Sequence, residues 1–147
     1  MMDLEILPDK EVMQVKCTIP VDFRSLVKIL IKARPMMLNW GVFMDSYNTR
    51  AVADDFADLK RKIGEFDPEA CVNDYALATT LVNGFNVQVY DHLADETHQL
   101  SLVNLQHGLM MYWNLSDSPQ FIEYMDHADA DLVIQYALFS DVYYNNQ

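Results

Sequence analysis

Residues Tyr75–Tyr90, YALATTLVNGFNVQVY, carry the clearest local signal in the chain. Two apolar runs, Tyr75–Val82 and Phe85–Tyr90, flank Asn83-Gly84. Both of these residues tolerate positive φ, which a two-residue type I′ turn requires. The register then pairs Val82 with Phe85, Thr80 with Val87 and Ala78 with Val89 on a largely apolar face. Thr79, Asn86 and Gln88 fall on the wetter face. The expectation is a β-hairpin over about residues 75–90.

Working towards the N-terminus, Glu65–Asn73 reads as an acidic loop containing Pro68. Before it, Thr49 caps a predicted helix with Val52, Phe56, Leu59 and Ile63 on one face, Gly64 as its stop and Asp58 and Lys62 as an i,i+4 pair. Asp45–Asn48 is a turn and Met36–Met44 (MMLNWGVFM) a strand. Pro20 introduces a helix in which Phe23, Leu26, Val27 and Leu30 recur at i, i+3, i+4 and i+7, and Pro35 ends it. Glu11–Ile19 (EVMQVKCTI) is a β-branched, roughly alternating strand.

Towards the C-terminus, Asp91–Gln99 reads as a loop, and Ser101 caps a helix to about Trp113 with Leu102, Leu105, Leu109 and Met110 inward. Ser118-Pro119 opens a short helix with Phe121, Ile122 and Met125. Asp129 caps a last helix, Ala130 to about Tyr144, that buries Leu132, Val133, Tyr136 and Ala137. The order β-α-β-α-β-β-α-α-α predicts a single α+β domain over residues 1–147, a small antiparallel sheet packed with about five helices.

Composition bounds the chemistry. The chain has 147 residues, 51% of them hydrophobic, and only 4 Gly and 5 Pro, which excludes a disordered or low-complexity protein. Cys17 and Cys71 lack a CxxC spacing and read as reduced, buried thiols. No apolar run reaches the roughly 18 residues of a membrane span, and the acidic N-terminus is unlike a signal peptide. The expected location is the cytoplasm.

Charge is distributed unevenly. The total is −12, from 10 Lys and Arg against 22 Asp and Glu. All ten basic residues lie between Lys10 and Lys62, and with nine acids there the segment up to Lys62 sums to +1. Ile63–Gln147 holds thirteen acids and no Lys or Arg, for a sum of −13. Average usage would place about ten basic residues in a stretch of that length.

Asn83-Gly84-Phe85, Val89-Tyr90-Asp91, His98-Gln99-Leu100-Ser101-Leu102, Leu105 and Gly108-Leu109 set up a pattern that continues through Phe121, Asp126–Asp131 and Gln135–Tyr143 (QYALFSDVY). This region resembles a group of small uncharacterised proteins of bacteriophages and integrated mobile elements. In that group a hairpin is followed by a helix, a short acidic segment and a helix ending near Q-x-x-LF-x-x-x-Y. The resemblance covers roughly residues 80 to 144, with a loose echo at Asn39-Trp40, and departs at Ser140, where glycine is common, and at Asn145-Asn146-Gln147. It implies a phage or mobile-element origin, in a bacterial host cytoplasm, and transfers no catalytic residue.

Catalytic signatures are sparse. There is no GxSxG elbow and no glycine-rich phosphate loop. Asp91, His92, Asp95, Glu96 and His98 fall within eight residues, as metal ligands could, but a solvated loop has the same composition. Asp126, His127, Asp129 and Asp131 form a second cluster, in which Asp129 serves better as a cap. Neither is assigned a metal, and no cofactor is expected. Arg24, Lys28 and Lys32, with Arg34 nearby, stripe one helix, where they suit a solvated face or contact with the acidic half better than nucleic acid.

The functional expectation is a non-enzymatic acidic protein that blocks a basic, nucleic-acid-binding surface of a host protein by charge mimicry. Its candidate acidic face is Asp91, Asp95, Glu96, Asp117, Glu123, Asp126, Asp129, Asp131 and Asp141. The alternative is a phage assembly protein that oligomerises, as a homodimer or larger, through the aromatic C-terminal helix (Tyr136, Phe139, Tyr143, Tyr144). Behind both stands an enzyme or metal protein using His92 and His98.

Overall fold

A computed structural model describes residues 11–15, 19–44 and 72–144. Strands β1 (Glu11–Val15) and β2 (Ile19–Asp22) pair antiparallel. The single strand expected over Glu11–Ile19 is thus two. A lone strand leaves its backbone donors and acceptors without partners, and β2 supplies them.

Helix α1 (Phe23–Met37) starts at Asp22 rather than Pro20, because capping needs a side-chain acceptor: Asp22 Oδ1 takes the Ser25 N–H at 2.8 Å. It also runs through Pro35. The proline removes one backbone donor in the last turn only. Continuing the helix seats Met37 and leads into Trp40, both fully enclosed. The strand expected over Met36–Met44 is therefore only β3 (Gly41–Phe43). The expected turn at Asp45–Asn48, the helix from Thr49 and most of the acidic loop lie outside the described residues.

The hairpin expected at 75–90 is absent. Val72–Val82 is a helix, α2, whose residues Asp74 to Leu81 are all buried. Gly84, at φ +86°, ends it: its N–H reaches the Leu81 carbonyl at 3.0 Å and the Phe85 N–H reaches that of Thr80 at 3.1 Å. This pair of bonds is a Schellman motif. Asn-Gly satisfies the positive-φ demand of a helix stop as well as that of a tight turn. A helix buried on all sides has no polar stripe to betray its period. The Arg34–Asp74 ion pair ties α2 to the end of α1.

A hairpin lies one segment later, where a loop is expected. β4 (Val87–Asp91) pairs antiparallel with β5 (Glu96–Leu100) and, on its other side, with β3. Asp91 Oδ1 shapes the turn by accepting the N–H groups of Leu93 at 3.0 Å and Ala94 at 2.9 Å. Asp95 takes the left-handed position at φ 55°.

Ser101 caps α3 (Leu102–Leu115) as expected, accepting the Asn104 N–H at 3.0 Å. The short helix expected after Pro119 is one 3-10 turn, Ile122–Tyr124, between extended residues Phe121 and Met125. Its approach is pinned where the Gln120 N–H donates to the Tyr112 hydroxyl at 2.8 Å. Helix α4 (His127–Phe139) begins earlier than expected, since Asp126 and Asp129 together form a capping box. It ends at Ser140, which is left-handed at φ 56°. The described residues thus hold four α-helices and two antiparallel sheets, an α+β fold.

Helices α3 and α4 run antiparallel in close contact. A Cβ on Gly108 would lie 2.5 Å from the Val133 carbonyl oxygen and 2.8 Å from the Ala137 nitrogen. Both helices and α1 share one hydrophobic core with α2 and the inner face of β3-β4-β5. No helix among the described residues is long and apolar enough to cross a membrane.

Candidate functional site

The C-terminal end of α4 meets the β4–β5 hairpin through a chain of polar contacts. On β4, Val87, Val89 and Asp91 share the inward face, so the strand's alternation carries Asp91 into the interior. Tyr144 OH donates to Asp91 Oδ2 at 2.5 Å. Tyr144 is held in turn by Gln135, whose amide accepts its N–H and donates to its carbonyl, both at 2.8 Å. Gln135 also donates to Asp131 Oδ2 at 2.7 Å, and Trp40 Nε1 donates to Asp131 Oδ1 at 2.8 Å. Trp40 stacks on Tyr144 with centroids 5.3 Å apart.

Burial works against ionisation of Asp91, but the Tyr144 hydroxyl, the two turn N–H groups and nearby His98 outweigh it and hold the carboxyl below its ordinary value. Burial and the Asp91 carboxylate push the Tyr144 phenol up to about 12. His98 Nε2 stands 3.8 Å from both Asp91 and Glu96, while its ring meets the Phe139 ring edge to face at 4.9 Å.

This network removes two residues from the expected acidic face. Asp91 is 1% exposed and Asp131 2%, so neither can meet a partner. Charge alone would put both on the surface, whereas alternation in β4 and the Trp40 and Gln135 bonds turn them inward.

The other seven acids are at or near the surface and gather at two poles. Asp117, Glu123, Asp126 and Asp129 lie where α3 ends and α4 begins. Asp126 and Asp129 are engaged in capping, and burial, followed by the neighbouring Asp126 charge, raises the Asp129 carboxyl. The α1 backbone reaches this pole, where the Lys32 carbonyl is 2.9 Å from His127 Nδ1. Arg24 is exposed, Lys28 and Lys32 are half-buried, and Arg34 pairs with Asp74.

Asp95, Glu96 and Asp141 form the second pole, at the C-terminal end of α4. Tyr90 OH donates to Asp95 at 2.6 Å, and that bond raises the Tyr90 phenol. A helix C-terminus carries about half a negative charge, which a cation in the last turn ordinarily offsets. Neither α2, α3 nor α4 has one; among the described helices only α1 does, with Arg34. Carboxylates and helix dipole therefore add at this pole. Helix α4, which runs from one pole towards the other, is about 20 Å long at 1.5 Å per residue.

The aromatic residues at the C-terminus pack largely inward. Tyr136 is buried, and Phe139 and Tyr144 pack on Trp40. Of the four rings only Tyr143 is exposed, and it stacks on Phe139.

His92 and His98 are separated as well. His92 Nε2 lies 3.1 Å from the Leu38 carbonyl at the turn, whereas His98 sits on β5. Among the described residues no three His, Cys, Asp or Glu side chains gather as a metal would need.

The residues that organise this end of the molecule, Trp40, Gln135 and Tyr144, do not stand out in the sequence as a polar unit. Their contacts span up to 91 residues of sequence, and no local pattern encodes them. No protein-family model, curated protein or solved structure matches the chain.

Proposed function

We propose that this is a non-enzymatic acidic binding protein, of phage or mobile-element origin. It places carboxylates where nucleic-acid phosphates would otherwise sit on a basic surface of a host protein. The observation that carries this reading is the second pole, where exposed Asp141 follows a helix with no basic residue in its last turn and exposed Asp95 and Glu96 lie at the turn of the β4–β5 hairpin, whose strand β5 packs against that helix. Charge left unbalanced against a helix dipole costs stability, so it calls for a reason outside the fold. The length of α4 between the poles supports the same reading. About 20 Å is the rise of roughly six base pairs, which a phosphate-binding groove spans readily.

Capture from host lysate on the immobilised protein, eluted in salt steps and competed with duplex DNA, tests it. The expected partner is a DNA-binding protein released by moderate salt and displaced by DNA. It is not retained by the triple variant Asp95→Asn/Glu96→Gln/Asp141→Asn, whose exposed substitutions leave the fold intact. Retention of only the protein's own copies at high salt would reject the reading in favour of assembly.

A further inference from the structure

A half-open cleft of about 90 Å³ lies between α3, the 3-10 turn and the β2–α1 junction at Val21 and Ser25, at the opposite end of α4 from the Tyr144 network. Leu109 and Met125, both buried, form its floor, and Tyr112, Trp113 and Phe121 stand around it. The Trp113 and Phe121 rings contact each other at 5.4 Å between centroids, inclined by 38°. Phe121 remains 52% exposed, so an aromatic wall faces solvent. Glu123, exposed and without an ion-pair partner among the described residues, lines the rim.

We infer that this cleft receives the guanidinium of an arginine presented by the basic partner. Three features select that occupant. Aromatic faces attract cations within about 6 Å of the ring, arginine more often than lysine, because its plane also stacks. The Glu123 carboxylate supplies a fork that two guanidinium N–H groups match. Size agrees too. A cavity of about 150 Å³ holds the six heavy atoms of benzene, so one of about 90 Å³ has room for the four of a guanidinium. The inference rests on the proposed function only for the source of the cation. It adds a specific anchor to what would otherwise be diffuse charge attraction.

The test uses the full chain and two probes, acetyl-Gly-Arg-Gly-amide and its citrulline analogue, which keeps the shape and loses the charge. Heteronuclear NMR of the two indole N–H groups reports binding, with enclosed Trp40 as internal control. The arginine peptide is expected to shift Trp113 and leave Trp40 in place, and the citrulline peptide to shift neither. Glu123→Gln and Phe121→Leu should each weaken the arginine peptide about threefold to tenfold. Both side chains are exposed, and an unchanged amide spectrum elsewhere verifies folding. Equal shifts from the two peptides, or no shift at Trp113, would overturn the inference. The readout is independent of lysate capture, so a failed capture with arginine bound rejects the charge reading and leaves the cleft standing.

Discussion

At the scale of single residues, Asp91 shows how position overrides composition. The same carboxylate that counts towards a charge of −12 is an internal acceptor for three donors, two from its own turn and one from Tyr144. Its folded pKa lies below the unfolded value, so the stabilisation is complete above the unfolded pKa of 3.8 and is lost as pH falls through the folded one. Asp91→Asn should cost about 1.5 kcal/mol at neutral pH, because charge-assisted bonds become neutral ones. Urea unfolding of both proteins would show the difference narrowing in acid. The Tyr144 phenol has the opposite dependence. Raised to about 12, it contributes below the unfolded value of 10.0, and that contribution fades as pH rises through 12. Phenolate absorbance against pH, compared with Tyr144→Phe, measures it.

At the scale of elements, two glycines carry opposite tests. Gly108 is required by proximity: an added Cβ meets the backbone of α4 at 2.5 and 2.8 Å, and neither atom can yield without moving the helix. Gly108→Ala should lose about 3 kcal/mol by overpacking, seen as a lower urea midpoint with an unchanged slope. Gly84 is required by conformation instead. A Cβ added there would meet nothing within 4 Å, yet φ is +86°. Gly84→Ala should cost about 1 kcal/mol, and Gly84→Asn less, since Asn enters the left-handed region more readily. Amide exchange would localise the loss to the last turn of α2. A hairpin at residues 75–90 would instead place it in both flanking runs.

At the scale of the whole molecule, the charge imbalance is divided by the fold. One pole adjoins the α1 backbone at Lys32, and the other has His98 3.8 Å from Glu96 and a helix end with no basic residue in its last turn. Steering by exposed charges acts on encounter more than on residence. With a captured partner in hand, the association rate should fall steeply as salt rises, and the triple variant should flatten that dependence. Dissociation should rise less steeply. Stopped-flow or surface kinetics at several ionic strengths would separate the two rates. A salt effect confined to dissociation would place the binding energy in an apolar interface instead.

Much of this architecture was legible in the chain itself. Ser101 before an amphipathic run marks the start of α3, and the apolar spacing from Phe23 to Leu30 marks α1, because caps and helical faces are local. The absence of Lys and Arg beyond Lys62 is a property of the sequence that no folding alters. The tertiary structure decided what local chemistry leaves open. Asn83-Gly84 permits a turn or a helix stop, and burial of α2 on every side chose the stop. Asp95 and Asp91 are alike as residues, and pairing with Tyr144, 53 positions away, placed only Asp91 inside. Backbone preferences act over a few residues, whereas the burial of a charge depends on partners brought together by the fold.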